Sequence, residues 1–191
     1  MAYIESRKKV GGMPCLASDG SQRITLPVYC DDSPIVKCKV MEFAGRSTQC
    51  FIGDVFNLDG VLFYHEVYQG EHDWLRADRT TTVQLPFETY KWRDVEMDYS
   101  ANTIKIDGTL YGGSSQEARH NLICVFNSLS PGGQGASCAI GTIEIYQNGV
   151  ETYHLVPRKD GVTGEGYFYD TKHSQSYYKD SGYQPLVYLE L

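Results

Sequence analysis

Residues 92–108 read WRDVEMDYSANTIKIDG, and their alternation decides the class of fold. Val95, Met97 and Tyr99 are apolar while Asp94, Glu96 and Asp98 are charged. One side of the segment therefore suits a core and the other suits water, the period of two of a half-buried strand. Ser100-Ala101-Asn102 reads as a short polar turn, Ile104-Lys105-Ile106 resumes the alternation, and Asp107-Gly108 is a tight-turn step. Residues 140–156, IGTIEIYQNGVETYHLV, repeat the pattern: an alternating strand over 140–146, a turn at Asn148-Gly149, and a return strand to Val156.

The same signals extend outward in both directions. Ile24-Thr25-Leu26 opens a strand whose Pro27 suits a sheet edge. Over residues 35–43, Val36, Cys38 and Val40 alternate with Lys37 and Lys39. Strands over 50–56 and 61–68 flank Asn57-Leu58-Asp59-Gly60, a hairpin signal. Residues 80–85 are a β-branched run, and 121–127 are almost continuously apolar, as a central strand is. Residues 131–135 read as a Gly-rich loop. No window of 11 or more residues carries a helical stripe. Short strands at regular spacing predict an all-β sandwich or barrel. The first 20 residues differ: they are polar, basic at Arg7, Lys8 and Lys9, and Gly-rich at Gly11-Gly12. The expected organisation is an N-terminal extended arm over 1–20 and one β-sandwich domain over 21–191.

A chain of 191 residues buries roughly 70% of its unfolded surface, so its core needs no metal or disulfide. The 15 tyrosines and 19 glycines favour strands, turns and contact surfaces over helices. The net charge of −7 argues against nucleic acid or an anionic membrane as partner, because both require a basic face. No stretch approaches the roughly 18 apolar residues of a membrane span. The opening MAYIESRKKVGGMPC has a basic patch with no apolar segment behind it and does not read as a secretory signal. Synthesis in a cytoplasm is expected, with Cys15, Cys30, Cys38, Cys50, Cys124 and Cys138 reduced. Cys38 and Cys124 sit in apolar strand patterns and read as small core residues. No Cys-x-x-Cys spacing marks a zinc site.

Few residues carry a chemical signal. Asp94, Glu96 and Asp98 share a strand face, as the carboxylates of retaining glycosidases on sandwich folds do. The signature of such enzymes continues to a second Glu, and here that position is Ala101, so a solvated strand face is the better reading. His65-Glu66 and Glu71-His72-Asp73 offer metal donors but straddle a polar turn. Gly112-Gly113-Ser114-Ser115 lacks the Gly-x-Ser-x-Gly form of a nucleophile elbow. Gly132-Gly133-Gln134-Gly135 lacks the Lys-Ser/Thr of a phosphate-binding loop. No catalytic residue, cofactor or metal is expected. Trp74, Tyr111, Tyr167, Tyr177 and Tyr178 lie in or beside polar segments. Three readings stay open for them: packing at the ends of the sandwich, contact with a protein partner, or stacking against a glycan.

Two stretches carry a family likeness. Residues 92–108 resemble the hairpin of laminin-G-like domains. Residues 140–182 resemble the C-terminal part of concanavalin A-like jelly-roll domains found in phage and prophage virion proteins. The matching features are Ile145-Tyr146-Gln147-Asn148-Gly149, Pro157, the loop 160–164, Tyr169-Asp170, and 178–182. Arg158 stands where that family frequently has a cysteine. The resemblance implies a concanavalin-like jelly-roll β-sandwich without enzymatic activity. It implies a structural subunit of a bacteriophage virion, whether capsid decoration, head fibre or tail-associated, present in the particle as a homo-oligomer. Its partners would then be other virion proteins, met by the arm through Arg7, Lys8 and Lys9. The alternative it implies is a lectin that adsorbs to a host surface glycan.

Overall fold

The computed structural model describes residues 12–43, 49–54, 63–68, 72–76, 82–83, 88, 90–111, 120–126 and 135–190, with backbone alone for 49, 54, 63–68, 72–76 and 82–83. Its strands are β1 (Pro14–Asp19), β2 (Ile24–Tyr29), β3 (Ile35–Glu42), β4 (Gln49–Asp54), β5 (Phe63–Tyr68), β6 (His72–Arg76), β7 (Thr82–Val83) and β8 (Trp92–Asp98). They continue with β9 (Thr103–Ile106), β10 (Thr109–Tyr111), β11 (Leu122–Val125), β12 (Ser137–Gln147), β13 (Val150–Lys159), β14 (Gly166–Asp170), β15 (Gln175–Tyr177) and β16 (Val187–Glu190). Among the described residues the only helical element is a 3₁₀ turn over Cys30–Asp32. No helix there is long and apolar enough to cross a membrane.

The strands form two antiparallel sheets. The larger runs β10-β9-β8-β3-β12-β13-β14-β15, with β1 paired to β12 and β16 paired to β1. The smaller runs β2-β11-β4-β5-β6-β7. β12 is the spine of the larger sheet. β3 lies along one side of it; the other side takes β1 over residues 137–140 and β13 over 143–147. β2 is an edge strand among the described residues, as Pro27 requires, and β11 lies inside the smaller sheet, as its apolar run requires. The two turns read from the sequence have left-handed backbones at both positions: Asp107 (φ 50°) and Gly108 (φ 81°), Asn148 (φ 53°) and Gly149 (φ 77°). The Asn57–Gly60 hairpin signal lies outside the described residues, as do the loops 112–115 and 131–134.

Alternation fills the space between the sheets. Val36, Cys38 and Val40 of β3, Val95 and Met97 of β8, and Ile140, Ile143 and Ile145 of β12 meet Ile24, Leu26, Val28, Phe51, Ile123 and Val125 of the smaller sheet. Phe126 and Phe168 stack within this core with centroids 6.5 Å apart. All six cysteines are buried, Cys38 and Cys124 among them. On the other side of the larger sheet a second cluster gathers Cys15, Ala17, Met41, Phe43, Ala139 and Leu189, with Trp92 packed against it.

The boundary at residue 20 needs correction. Residues 14–19 form β1, which pairs with β12 and β16 and buries Cys15, Leu16, Ala17 and Ser18. Polar and Gly-rich flanks hid a five-residue stretch, CLASD, that pairs on both edges. Arg7, Lys8 and Lys9 lie outside the described residues.

Candidate functional site

The larger sheet turns a polar face outward, and register builds it. Lys105 on β9 stands opposite Glu96 on β8, Glu96 opposite Lys37 on β3, Lys37 opposite Glu144 on β12, and Glu144 opposite His154 on β13. The result is one row of alternating charge across four adjacent strands, with His154 of β13 at its end. Cross-strand neighbours of opposite charge attract and hold each other's rotamers. Lys105 Nζ lies 2.6 Å from Glu96 Oε1 and Lys37 Nζ 3.2 Å from Glu96 Oε2. A parallel pair, Lys39 Nζ and Asp94 Oδ1, is 2.6 Å apart. The hydrogen bond from Lys105, aided by Lys37, holds the Glu96 carboxyl below the usual carboxylate range despite partial burial.

These side chains line a groove of about 460 Å³ over β9, β8, β3 and β12, with Met13, Thr142 and Glu144 along its walls. Tyr146 lies two residues beyond Glu144 on β12. Its ring lies under the Lys37 ammonium, 5.0 Å from centroid to Nζ, and its hydroxyl donates to Glu144 Oε2 at 2.9 Å.

The face continues onto β13 and β14 and becomes aromatic. Val156 stands opposite Tyr169 and Arg158 opposite Tyr167. Gly166, Phe168 and Asp170 are buried on the inner side of β14, so alternation turns Tyr167 and Tyr169 outward. Arg158 lies over the Tyr169 ring at 5.7 Å. Tyr178 stacks on Tyr167 with centroids 4.8 Å apart and donates its hydroxyl to Asp160 Oδ2 at 3.2 Å. The segment carrying Tyr178 is tied down by Asp180, which accepts from the Arg23 guanidinium and from the Thr25 hydroxyl at 2.7 Å.

The five aromatic residues singled out in the sequence therefore separate. Tyr167 and Tyr178 meet on this face. Tyr111 and Tyr177 are partly buried and pack against the core. Trp74 lies on β6 of the smaller sheet, opposite Glu66 of β5. The metal-donor candidates His65, Glu66, His72 and Asp73 sit on β5 and β6, where only backbone is described. The carboxylates Asp94, Glu96 and Asp98 do share one face of β8. Asp94 and Glu96 are paired with lysines, and Asp98 caps the following turn, accepting from the Ser100 N–H and hydroxyl at 2.9 and 2.7 Å and from the Ala101 N–H at 3.0 Å. Burial alone would raise the Asp98 carboxyl, yet these bonds outweigh it and hold it below the usual range. Sequence reasoning missed Tyr146, Glu144, Tyr169 and Arg158. Their alternation was visible, but not that β3 and β12 would set them beside β8.

No protein-family model matches the chain, and no curated protein matches it. Solved structures do. A candidate carbohydrate-binding protein from Bacteroides ovatus ATCC 8483 superposes with a TM-score of 0.63 at 10% identity, covering 95% of this chain and 61% of its own. This chain thus spans less than two thirds of that structure. A heptameric SAP-like pentraxin from Limulus polyphemus superposes with a TM-score of 0.47 at 12% identity, covering 95% of this chain and 91% of its own. With the sheet topology, the first likeness shows the fold: a concanavalin-like jelly-roll β-sandwich.

Proposed function

We propose that this domain is a non-catalytic carbohydrate-binding module whose ligand lies along the outer face of the larger sheet. The observation that carries the reading is the groove itself, with its row of Lys105, Glu96, Lys37 and Glu144 held in place by their own ion pairs. Each sugar hydroxyl both donates and accepts, so a wall alternating ammonium and carboxylate offers partners for adjacent hydroxyls. Groups that hold their rotamers before the ligand arrives lose little freedom on binding. Tyr146 and Tyr169 stand on the same outer face, each held under a cationic side chain. The fold likeness to a candidate carbohydrate-binding protein supports the same reading.

The carboxylates of β8 support the non-catalytic reading. A glycosidase needs a carboxylic acid kept protonated beside a carboxylate. Glu96 and Asp98 are both held toward the ionised form, and Ala101 occupies the position of the second Glu.

A second reading, a homo-oligomeric structural subunit of a phage particle, draws on the sequence likeness of residues 140–182. Under it, Arg7, Lys8 and Lys9 contact neighbouring virion proteins.

A glycan-array screen separates the two. The lectin reading expects a specific hit that weakens at least tenfold, about 1.4 kcal/mol, in Glu96→Ala and persists in Trp74→Ala. A blank array overturns it and leaves the structural reading.

A further inference from the structure

The β12–β13 hairpin carries a cluster that shares Glu144 with the groove and adds Glu151 and His154, which the carbohydrate reading does not use. Glu151 and His154 are three apart, and a regular strand would turn them to opposite faces. The register prevents this. Ile145 stands opposite Tyr153, but Tyr146 stands opposite Glu151, so Thr152 is an extra residue in a β-bulge. Its hydroxyl donates back to the Ile145 carbonyl at 3.1 Å. The bulge sets Glu151 on the outer face with His154, and Glu144 stands directly opposite His154. One donor atom from each of Glu144, Glu151 and His154 then lies within 4.8 Å of the other two. His154 Nδ1 and Glu151 Oε1 are already 2.8 Å apart.

We infer that Glu144, Glu151 and His154 form a binding site for a zinc-type divalent cation. The donor set decides the class. An imidazole with two carboxylates suits zinc, whereas calcium and magnesium take shells of oxygen. In a tetrahedral site with bonds of about 2.0–2.2 Å the donors stand about 3.3–3.6 Å apart, a spacing these half-buried side chains reach by small torsions. Three protein ligands leave a fourth position for water. The surroundings hold the donors as outer-shell partners do. The Tyr146 hydroxyl bonds Glu144 Oε2, and buried Asp170 accepts from the His154 backbone N–H at 3.2 Å. The Lys172 ammonium sits 2.7 Å from Glu151 Oε2, so a cation already occupies the rim of the cluster. Zinc displaces that ammonium from Glu151 and takes the place between His154 Nδ1 and Glu151 Oε1, the neutral imidazole then carrying its one N–H on Nε2.

Lys172 is therefore a competitor, and this gives the test its direction. The full chain is titrated calorimetrically with zinc chloride, and with calcium chloride for comparison, with no glycan present. One zinc site is expected, weakened at least tenfold in His154→Ala and in Glu151→Gln and tightened several-fold in Lys172→Ala. Circular dichroism checks that each variant is folded. Lys172→Ala keeps all three donors, so it tests the site even where a donor variant loses its fold. Zinc binding that is absent from both the wild type and Lys172→Ala overturns the inference, as does zinc binding unchanged in folded His154→Ala and Glu151→Gln. Glu151, His154 and Lys172 lie outside the groove lining and the titration holds no glycan, so failure of this site and failure of the carbohydrate reading are seen separately.

Discussion

Gly135 shows how much one residue carries in this sandwich. It bridges to Cys50, and its neighbour Ala136 donates its N–H to the Phe126 carbonyl at 2.8 Å. A Cβ at Gly135 would stand 1.7 Å from the carbonyl oxygen of Gly20. The crowding is backbone against backbone, so no side chain can swing aside. Gly135→Ala must separate β1 from the segment that leads into β12, at a cost of about 3 kcal/mol. For a chain of this size that lowers the melting temperature by about 6–12 °C. Gly161, whose Cβ would meet nothing within 4 Å, is the control; Gly161→Ala should melt with the wild type to within about 0.5 kcal/mol. Equal melting of both variants would contradict the close approach. In the sequence Gly135 is the last glycine of a Gly-rich run and reads as loop flexibility. Its reason lies in Gly20, more than a hundred residues away, and local pattern carries no trace of it.

Among the elements, β13, β14 and the turn into β15 are joined by a single carboxylate. Asp170 is fully buried and accepts from the backbone N–H of His154 at 3.2 Å, from that of Lys172 at 3.0 Å, and from His173 Nδ1 at 2.5 Å. Burial would raise this carboxyl, but the bonds from His173 and the two N–H groups hold it below the usual range. A depressed carboxylate contributes stability that is full above its unfolded value of about 3.9 and is lost as pH falls through the lower folded value. Asp170→Asn should therefore cost about 2 kcal/mol at neutral pH. Denaturant titrations from pH 7 to pH 3 should show that gap narrowing at the acid end; curves that stay parallel would contradict the assignment. Element-level features were unevenly legible. The Asn148-Gly149 and Asp107-Gly108 turns were readable because each residue type has its own reason to take a positive φ. β1 was not, because CLASD is buried on both faces, Leu16 in one cluster and Cys15 and Ala17 in the other, and so shows no alternation of apolar and polar residues. The Thr152 bulge was not, because a bulge inserts one residue without changing composition.

For the whole molecule, the sandwich followed from period-two segments and turn residues, which are local. The candidate binding face did not, because it depends on strand order. Lys37 and Lys39 were visible as the polar side of β3, and Asp94 and Glu96 as the polar side of β8, but their union required β3 to lie between β8 and β12. Each pairing there joins residues dozens of positions apart, and nothing in either strand names its neighbour. The same ordering removed Tyr111 and Tyr177 to the core and left Tyr167 with Tyr178 on the outer face. Carbohydrate binding on this face is tested most directly by amide chemical-shift mapping. Isotope-labelled protein is titrated with a pool of oligosaccharides. Saturable shifts are predicted at residues 37–39, 94–96, 105 and 142–146, across the groove. No shifts, or shifts confined to β4, β5 and β6 of the smaller sheet, would contradict it.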